Sequence, residues 1–289
     1  MTQQRATAFG FGAVLLWSLL AVLTVMTAPI PPFQLTAMSF AIGGFLGLVW
    51  IALSGELASL GRISWKIYLF GTAGLFGYHF FYFSALRLAP PAEAGLIAYL
   101  WPLLIVLFSG LLPGERLRRG HGLGAVVGFA GAGLLVAGGA GGGFALDAPL
   151  GYALALLCAL TWSGYSVMSR RLGSTPTSSI SVFCLATAVL SAAAHMAFET
   201  PVWPRDPVTW LAVIGLGAGP VGLAFFIWDI GVKRGDIQLL GVASYAAPVL
   251  STFILVAVGI APLTWVLLIS SVLITFGAWL AARASRTRV

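Results

Sequence analysis

The sequence is poor in charge. Only 8% of its 289 residues are Asp, Glu, Lys or Arg, and the acids number eight. Soluble domains carry roughly a quarter charged residues, so a water-facing globular surface is excluded and lipid is the solvent the chain suits. Cysteine is scarce too. Cys158 and Cys184 both fall inside apolar runs, where they read as small buried hydrophobes and support neither a disulfide framework nor a metal site. Enzyme signatures are missing: there is no His-Glu-x-x-His, no Gly-x-Ser-x-Gly and no phosphate loop. No cofactor, metal or covalent chemistry is expected, and no spacing singles out a serine to partner His79.

Hydrophobic residues, by contrast, make up 60% of the chain. Ten apolar stretches, each long enough to cross a bilayer core, run over 6–28, 33–53, 66–87, 93–112, 120–140, 149–169, 177–198, 208–232, 237–258 and 262–282. The first is too long for a signal-peptide core and reads as a retained span. Short connectors carry the breakers, among them Pro31 and Pro32, Pro90 and Pro91, Pro113, Pro149, Pro176 and Pro201. None could hold a folded domain, so any site lies among the helices.

The net charge of +7 would point to nucleic acid in a soluble protein. Here the basic residues sit between apolar runs and read as topology signals, so no nucleic-acid partner is expected. With the N-terminus inside and the spans alternating, the outer connectors hold Arg87 and Arg205, and the other basic residues of the 15 fall inside. Both termini are then expected in the cytosol of a cell whose inner membrane the chain spans. An odd number of spans would spoil this bias.

Sliding the second half by about 146 positions exposes a repeat. Gly95, Tyr99 and Pro102 fall on Gly241, Tyr245 and Pro248; Phe80 and Tyr82 fall on Phe226 and Trp228; Trp17-Ser18 matches Trp162-Ser163 with one residue of difference in offset. The expected fold is therefore all-α, with ten transmembrane helices in two inverted five-helix repeats, 1–143 and 144–289. Five spans per copy is an odd number, so the copies must run in opposite senses. Such repeats are a signature of secondary transporters, whose site lies at the repeat interface near the midplane.

Several residues could line that site. Tyr78, His79 and Tyr82 share a face of the third span; an aromatic belt at the membrane interface is one reading. An ionisable group such as His79 inside a span faces a cavity or partner by the other. Tyr99, Trp101 and Pro102 in the fourth span, and Ser244, Tyr245 and Pro248 in the ninth, pair an aromatic with a proline that frees a backbone carbonyl. The prolines are either static kinks or a paired hinge. Trp17, Trp162 and Ser163 place rings and a hydroxyl at matched depth, for a cavity or for core packing. Asp229 is expected to pair with Lys233 or Arg234, Glu93 to sit at a helix N-terminus, and His121 and His195 to meet water or head groups. Glycines four apart, including Gly120, Gly124 and Gly128, allow close helix approach.

On Leu16-Trp17-Ser18, Tyr99-Leu100-Trp101-Pro102-Leu103 and Val242-Ala243-Ser244-Tyr245 through Pro248-Val249-Leu250-Ser251, the chain resembles the drug/metabolite transporter superfamily in its five-plus-five EamA-type arrangement. Within it, the chain is most similar to the YddG-type aromatic amino acid exporters. The resemblance implies export of aromatic and other neutral amino acids from the cytosol through a central cavity lined by both halves. The chain is expected to work by alternating access and as a monomer. A multidrug exporter of the same superfamily is the rival; it is expected to need a membrane-embedded carboxylate, and the first seven spans carry none deep inside. A membrane-embedded enzyme is the rival from another class, and the absent motifs argue against it.

Overall fold

A computed structural model describes residues 1–137 and 148–286. The repeat boundary at 143/144 lies outside the described residues. Ten long helices account for most of the rest. In chain order they are α1 (Gln3–Met26), α2 (Pro32–Leu53), α3 (Trp65–Leu88), α4 (Pro91–Ser109), α5 (Arg119–Ala137), α6 (Pro149–Arg171), α7 (Ser179–Phe198), α8 (Pro207–Arg234), α9 (Ile237–Ala257) and α10 (Trp265–Arg286). Proline opens several of them, where a missing amide costs nothing.

All but α3 are long and apolar enough to cross a membrane. α3 has the length, 24 residues, or about 36 Å at 1.5 Å per residue. Its run is diluted by Lys66, Tyr68, Tyr78, His79, Tyr82 and Arg87, and those polar-tipped aromatics turn inward.

The helices pack in an order that follows the repeat. α2 lies along α7, and α5 along α10, each pairing with its own counterpart; α3 packs on α6 as α8 packs on α1. These are the partners that a twofold relation between two five-helix copies generates. The bundle is apolar outward and tight inward. Phe45, Leu53 and Trp265 are exposed, while Ala13, Ala159, Ser163 and Ser191 are fully buried. Small residues let backbones approach where lipid supplies no hydrophobic drive between helices. At the α5–α10 contact a side chain on Gly277 would meet the Gly124 carbonyl oxygen at 2.6 Å, so both positions need glycine.

Four of the helices are interrupted. α1 breaks between Gln3–Trp17 and Leu20–Met26. α4 breaks between Pro91–Ala98 and Trp101–Ser109, and α9 between Ile237–Ala243 and Ala246–Ala257. In α8 a π-helical segment, Gly219–Leu223, separates Pro207–Ala218 from Ala224–Arg234. The α4 and α9 breaks fall at repeat-matched positions and each carries a proline just inside the segment that follows. The lost amide is tolerated where the helix is starting afresh.

Candidate functional site

Four tryptophans from four helices meet at the centre. Trp17 closes the first segment of α1, Trp101 opens the second segment of α4, Trp162 sits within α6 and Trp228 within α8. Trp17 lies 6.2 Å from Trp101, 5.8 Å from Trp162 and 5.0 Å from Trp228, centroid to centroid. The other three separations are 6.1–6.3 Å. Two rings come from each half. The Trp101 ring is nearly perpendicular to those of Trp17, Trp162 and Trp228, the edge-to-face packing that ring quadrupoles favour and that adds about 0.5–1.5 kcal/mol per pair.

Backbone irregularity anchors the cluster. The Trp17 indole N–H donates to the Pro220 carbonyl oxygen at 3.0 Å. Pro220 lies in the π segment of α8, where a loosened ladder leaves carbonyls open to outside donors. Trp228 Nε1–H donates to Ser166 Oγ on α6 at 3.1 Å. Trp17 is thereby tied to α8, and α8 to α6.

Tyr78 extends the cluster along α3, its ring 5.4 Å from Trp162 and stacked on Tyr82 at 6.1 Å. His79 points beside them, 4.9 Å from Phe40 of α2 and 6.4 Å from Phe225 of α8. Its Nδ1 donates to the Leu75 carbonyl oxygen at 2.8 Å, which satisfies one nitrogen within its own helix. Phe225 also meets Trp17 and Trp162. The result is a wall of aromatic faces and edges with few hydrogen-bonding tips. Trp101, Trp162 and Trp228 are buried against one another, and the cluster offers no nucleophile in a reactive arrangement.

Among the described residues the remaining candidates make no ring contact with the tryptophans, although Tyr99 lies near Tyr78 and Tyr82. Ser163 and Ser244 are fully buried and turn back on their own helices, donating to the carbonyls of Ala159 at 2.8 Å and Leu240 at 2.7 Å. Tyr99 and Tyr245 pack in a separate core with Ala132, Val249 and Ile274. Tyr245 has a defined task there: its hydroxyl oxygen accepts the Leu103 amide at 3.1 Å, an N–H in the first turn after the α4 break. One broken helix thus caps the other. Pro102 and Pro248 lie just beyond the two breaks.

Trp228, Phe225, Phe40 and Pro220 were not among the residues expected in the site. Trp228 had a visible signal in its match to Tyr82 across the repeat. Pro220 had one as well, since it is a proline inside an apolar run, as Pro102 and Pro248 are. The expectation for the two histidines is corrected. His121 is fully buried, its Nδ1 accepting the Arg118 amide at 3.3 Å and its Nε2 3.2 Å from Ser285 Oγ; His195 Nδ1 lies 2.9 Å from Glu199 Oε2. Span ends here pack against neighbouring chain, so these rings find protein partners before solvent.

Both ends of the bundle are fastened by ions. At the end rich in basic residues, Arg170 pairs with Glu115 and donates to the carbonyls of Val232 and Gly235 at 2.9 and 2.8 Å. Lys233 bonds Asp229 at 2.8 Å, as expected, and Thr177 donates to the same carboxylate. At the other end Glu199, its side chain only 2% exposed, pairs with Arg87 at 2.6 Å and with His195. It also accepts the Phe33 and Gln34 amides at 3.0 and 3.1 Å, capping α2 where a carboxylate is favoured by the helix dipole. Glu93 stands in the first turn of α4 and takes the Tyr152 hydroxyl.

A bundle of membrane-length helices in two repeats, with an aromatic site built by both, defines a membrane transporter. Residues 4–137 and 149–283 each match the EamA-like transporter family, and the chain belongs to that family. Over 287 residues it is 55% identical to the aromatic amino acid exporter YddG of Ancylobacter novellus, covering 99% of this chain and all of that one. It is 27% identical to the aromatic amino acid exporter YddG of Salmonella typhimurium, over the full length of both. A solved crystal structure at 55% identity superposes with a TM-score of 0.95 over the whole of both chains.

Proposed function

We propose that this protein is a secondary transporter that exports aromatic amino acids, and other neutral amino acids, from the cytosol by alternating access. The observation that carries the reading is the meeting of Trp17, Trp101, Trp162 and Trp228, two from each half, in mutual contact between the ion-paired ends. A substrate ring would insert among these faces, with Tyr78, Tyr82 and His79 beside it. Its charged groups would be met by polar tips, freed carbonyls and water. Ser163, Ser244, Tyr99 and Tyr245 would shape the pathway through the helix breaks they stand next to. The similarity to two aromatic amino acid exporters supports the substrate class.

The two repeats, 1–143 and 144–289, would move against each other about the Pro102 and Pro248 breaks. The basic end would face the cytosol with both termini, in the cell inner membrane, and one copy would suffice. Deep acids are scarce and Asp229 is held by Lys233, so we read the movement as downhill rather than obligatorily proton-coupled. Flux of radiolabelled phenylalanine in proteoliposomes, with and without a pH gradient, tests the function. Saturable flux competed by other aromatic amino acids is expected; flux linear in concentration would indicate a pore, and no flux would reject the substrate class. Proton counterflow in strict proportion to substrate would overturn the downhill reading. Reporters after Val289 and within 141–148 should lie on opposite sides.

A further inference from the structure

A groove of about 710 Å³ opens on the side of the bundle between α1, α9 and α10, within the roughly 300–1,000 Å³ of sites that hold drug-sized ligands. Its walls change character with depth. Gln3, Gln4, Thr7, Asp236 and Ser285 line the mouth, and Ala8, Phe11, Leu239, Leu240, Ala243 and Ala282 line the rest. From Gln3 to Phe11 the α1 wall runs about 12 Å along the helix axis. Ala8 and Phe11 lie on the exposed face of α1, which carries Leu15 one turn further in, so the groove opens toward lipid.

The repeat supplies a control. Thr7 and Leu239 stand where the other copy has Tyr152 and Glu93. There, Tyr152 donates to Glu93, and Ala85, Ala89, Ala94 and Ala155 close the seam. The groove is thus particular to one of two equivalent places. At its mouth Asp236 is nine-tenths buried. One carboxylate oxygen accepts the Leu239 amide at 2.9 Å, and no cationic side chain among the described residues pairs with it. A carboxylate at a membrane interface with no cationic partner among the described residues favours a cationic ligand.

We propose that this groove binds one membrane phospholipid whose head group ends in a primary ammonium, with the ammonium on Asp236, the phosphate region at Gln3 and Gln4, and an acyl chain along Phe11, Leu240 and Ala243. A glycerol head offers Asp236 no ammonium, and a quaternary ammonium could not donate a hydrogen bond. The full-length protein, stripped in detergent and re-exposed to phosphatidylethanolamine, phosphatidylcholine and phosphatidylglycerol, tests this by native mass spectrometry, without reference to transport. Ethanolamine lipid should be retained roughly tenfold better than the others, the scale of one charge-assisted hydrogen bond. Asp236→Asn keeps the helix cap and should erase the preference. Ala8→Trp fills the groove from the lipid side and should remove retention of all three lipids. Equal retention of the three by the wild type, or an unchanged preference in D236N, would overturn the proposal.

Discussion

Two helix pairs in this molecule are built from matching sequence and behave differently. α6 and α3 are unbroken along their length, and α6 carries Trp162-Ser163. Their counterparts α1 and α8 are both interrupted: α1 directly after Trp17, α8 through its π segment. The Trp-Ser motif does not itself break a helix. Ser163 bonds Ala159 one regular turn back at 2.8 Å, with a longer bond to Leu160 at 3.2 Å, whereas Ser18 bonds Leu15, three residues back at 2.6 Å. The partner helices differ as well. Pro220 has no amide to give the α8 ladder, and the repeat places Gly74 of α3 at that position. Where proline stands, the ladder loosens, a carbonyl faces α1 and Trp17 takes it. Of these two equivalent pairs, one is interrupted in both helices and the other in neither.

The largest test removes the rings that both pairs share. Trp17→Ala and Trp162→Ala should each cost about 3–5 kcal/mol of stability and abolish saturable aromatic amino acid flux. Wild-type flux in either folded variant would remove the aromatic cluster from the pathway.

A more discriminating test makes the interrupted helices regular. Pro220→Ala restores an amide to α8 and should stabilise the protein by up to about 3 kcal/mol while slowing flux several-fold. Pro102→Ala and Pro248→Ala should likewise fold and transport slowly, one impairing opening to one side and the other to the opposite side. Normal efflux in a well-folded Pro102/Pro248 double variant would leave the breaks as static kinks.

A smaller change separates the pairs directly. Trp17→Phe keeps a ring but loses the bond to Pro220, a net loss of about 1 kcal/mol. Thermal stability should fall further in Trp17→Phe than in Trp162→Phe, and equal losses would make the tie between α1 and α8 energetically idle. The smallest effect is outside the membrane. The hydroxyl and amide of Thr209 hold the Asp206 carboxyl below its ordinary range, so its cap on α8 contributes fully above the usual carboxylate pKa. That contribution fades as the pH falls through the lowered one. Stability curves of wild type and Asp206→Ala should lie apart at neutral pH and converge in acid.

The span pattern was legible because hydropathy and breakers act locally: helix ends fell near Pro31, Pro90 and Pro149. The repeat was legible through Tyr99/Tyr245 and Pro102/Pro248, whose breaks the structure contains. The centre was legible in part. Trp17, Trp101, Trp162 and Tyr78 converge, but nothing in sequence spacing tells that Phe40 and Phe225 reach His79 across three helices. Tyr245 was readable as important and unreadable in role, because its partner is a backbone amide 142 residues away. The break after Trp17 has no glycine or proline of its own, and the Trp17 indole reaches a carbonyl in another helix.

Arg170 and Glu199 sit at opposite ends of the bundle, and each binds elements from both halves: Arg170 joins α6 and the end of α8 to Glu115, and Glu199 joins α2, α3 and α7. In this conformation both fastenings are made at once. On the proposed alternating-access reading, each fastening would act as a door held by a carboxylate that gives up its guanidinium when that end opens. Releasing both at once would leave Glu115 and Glu199 together without their guanidinium partners, which sets an electrostatic cost against opening both ends.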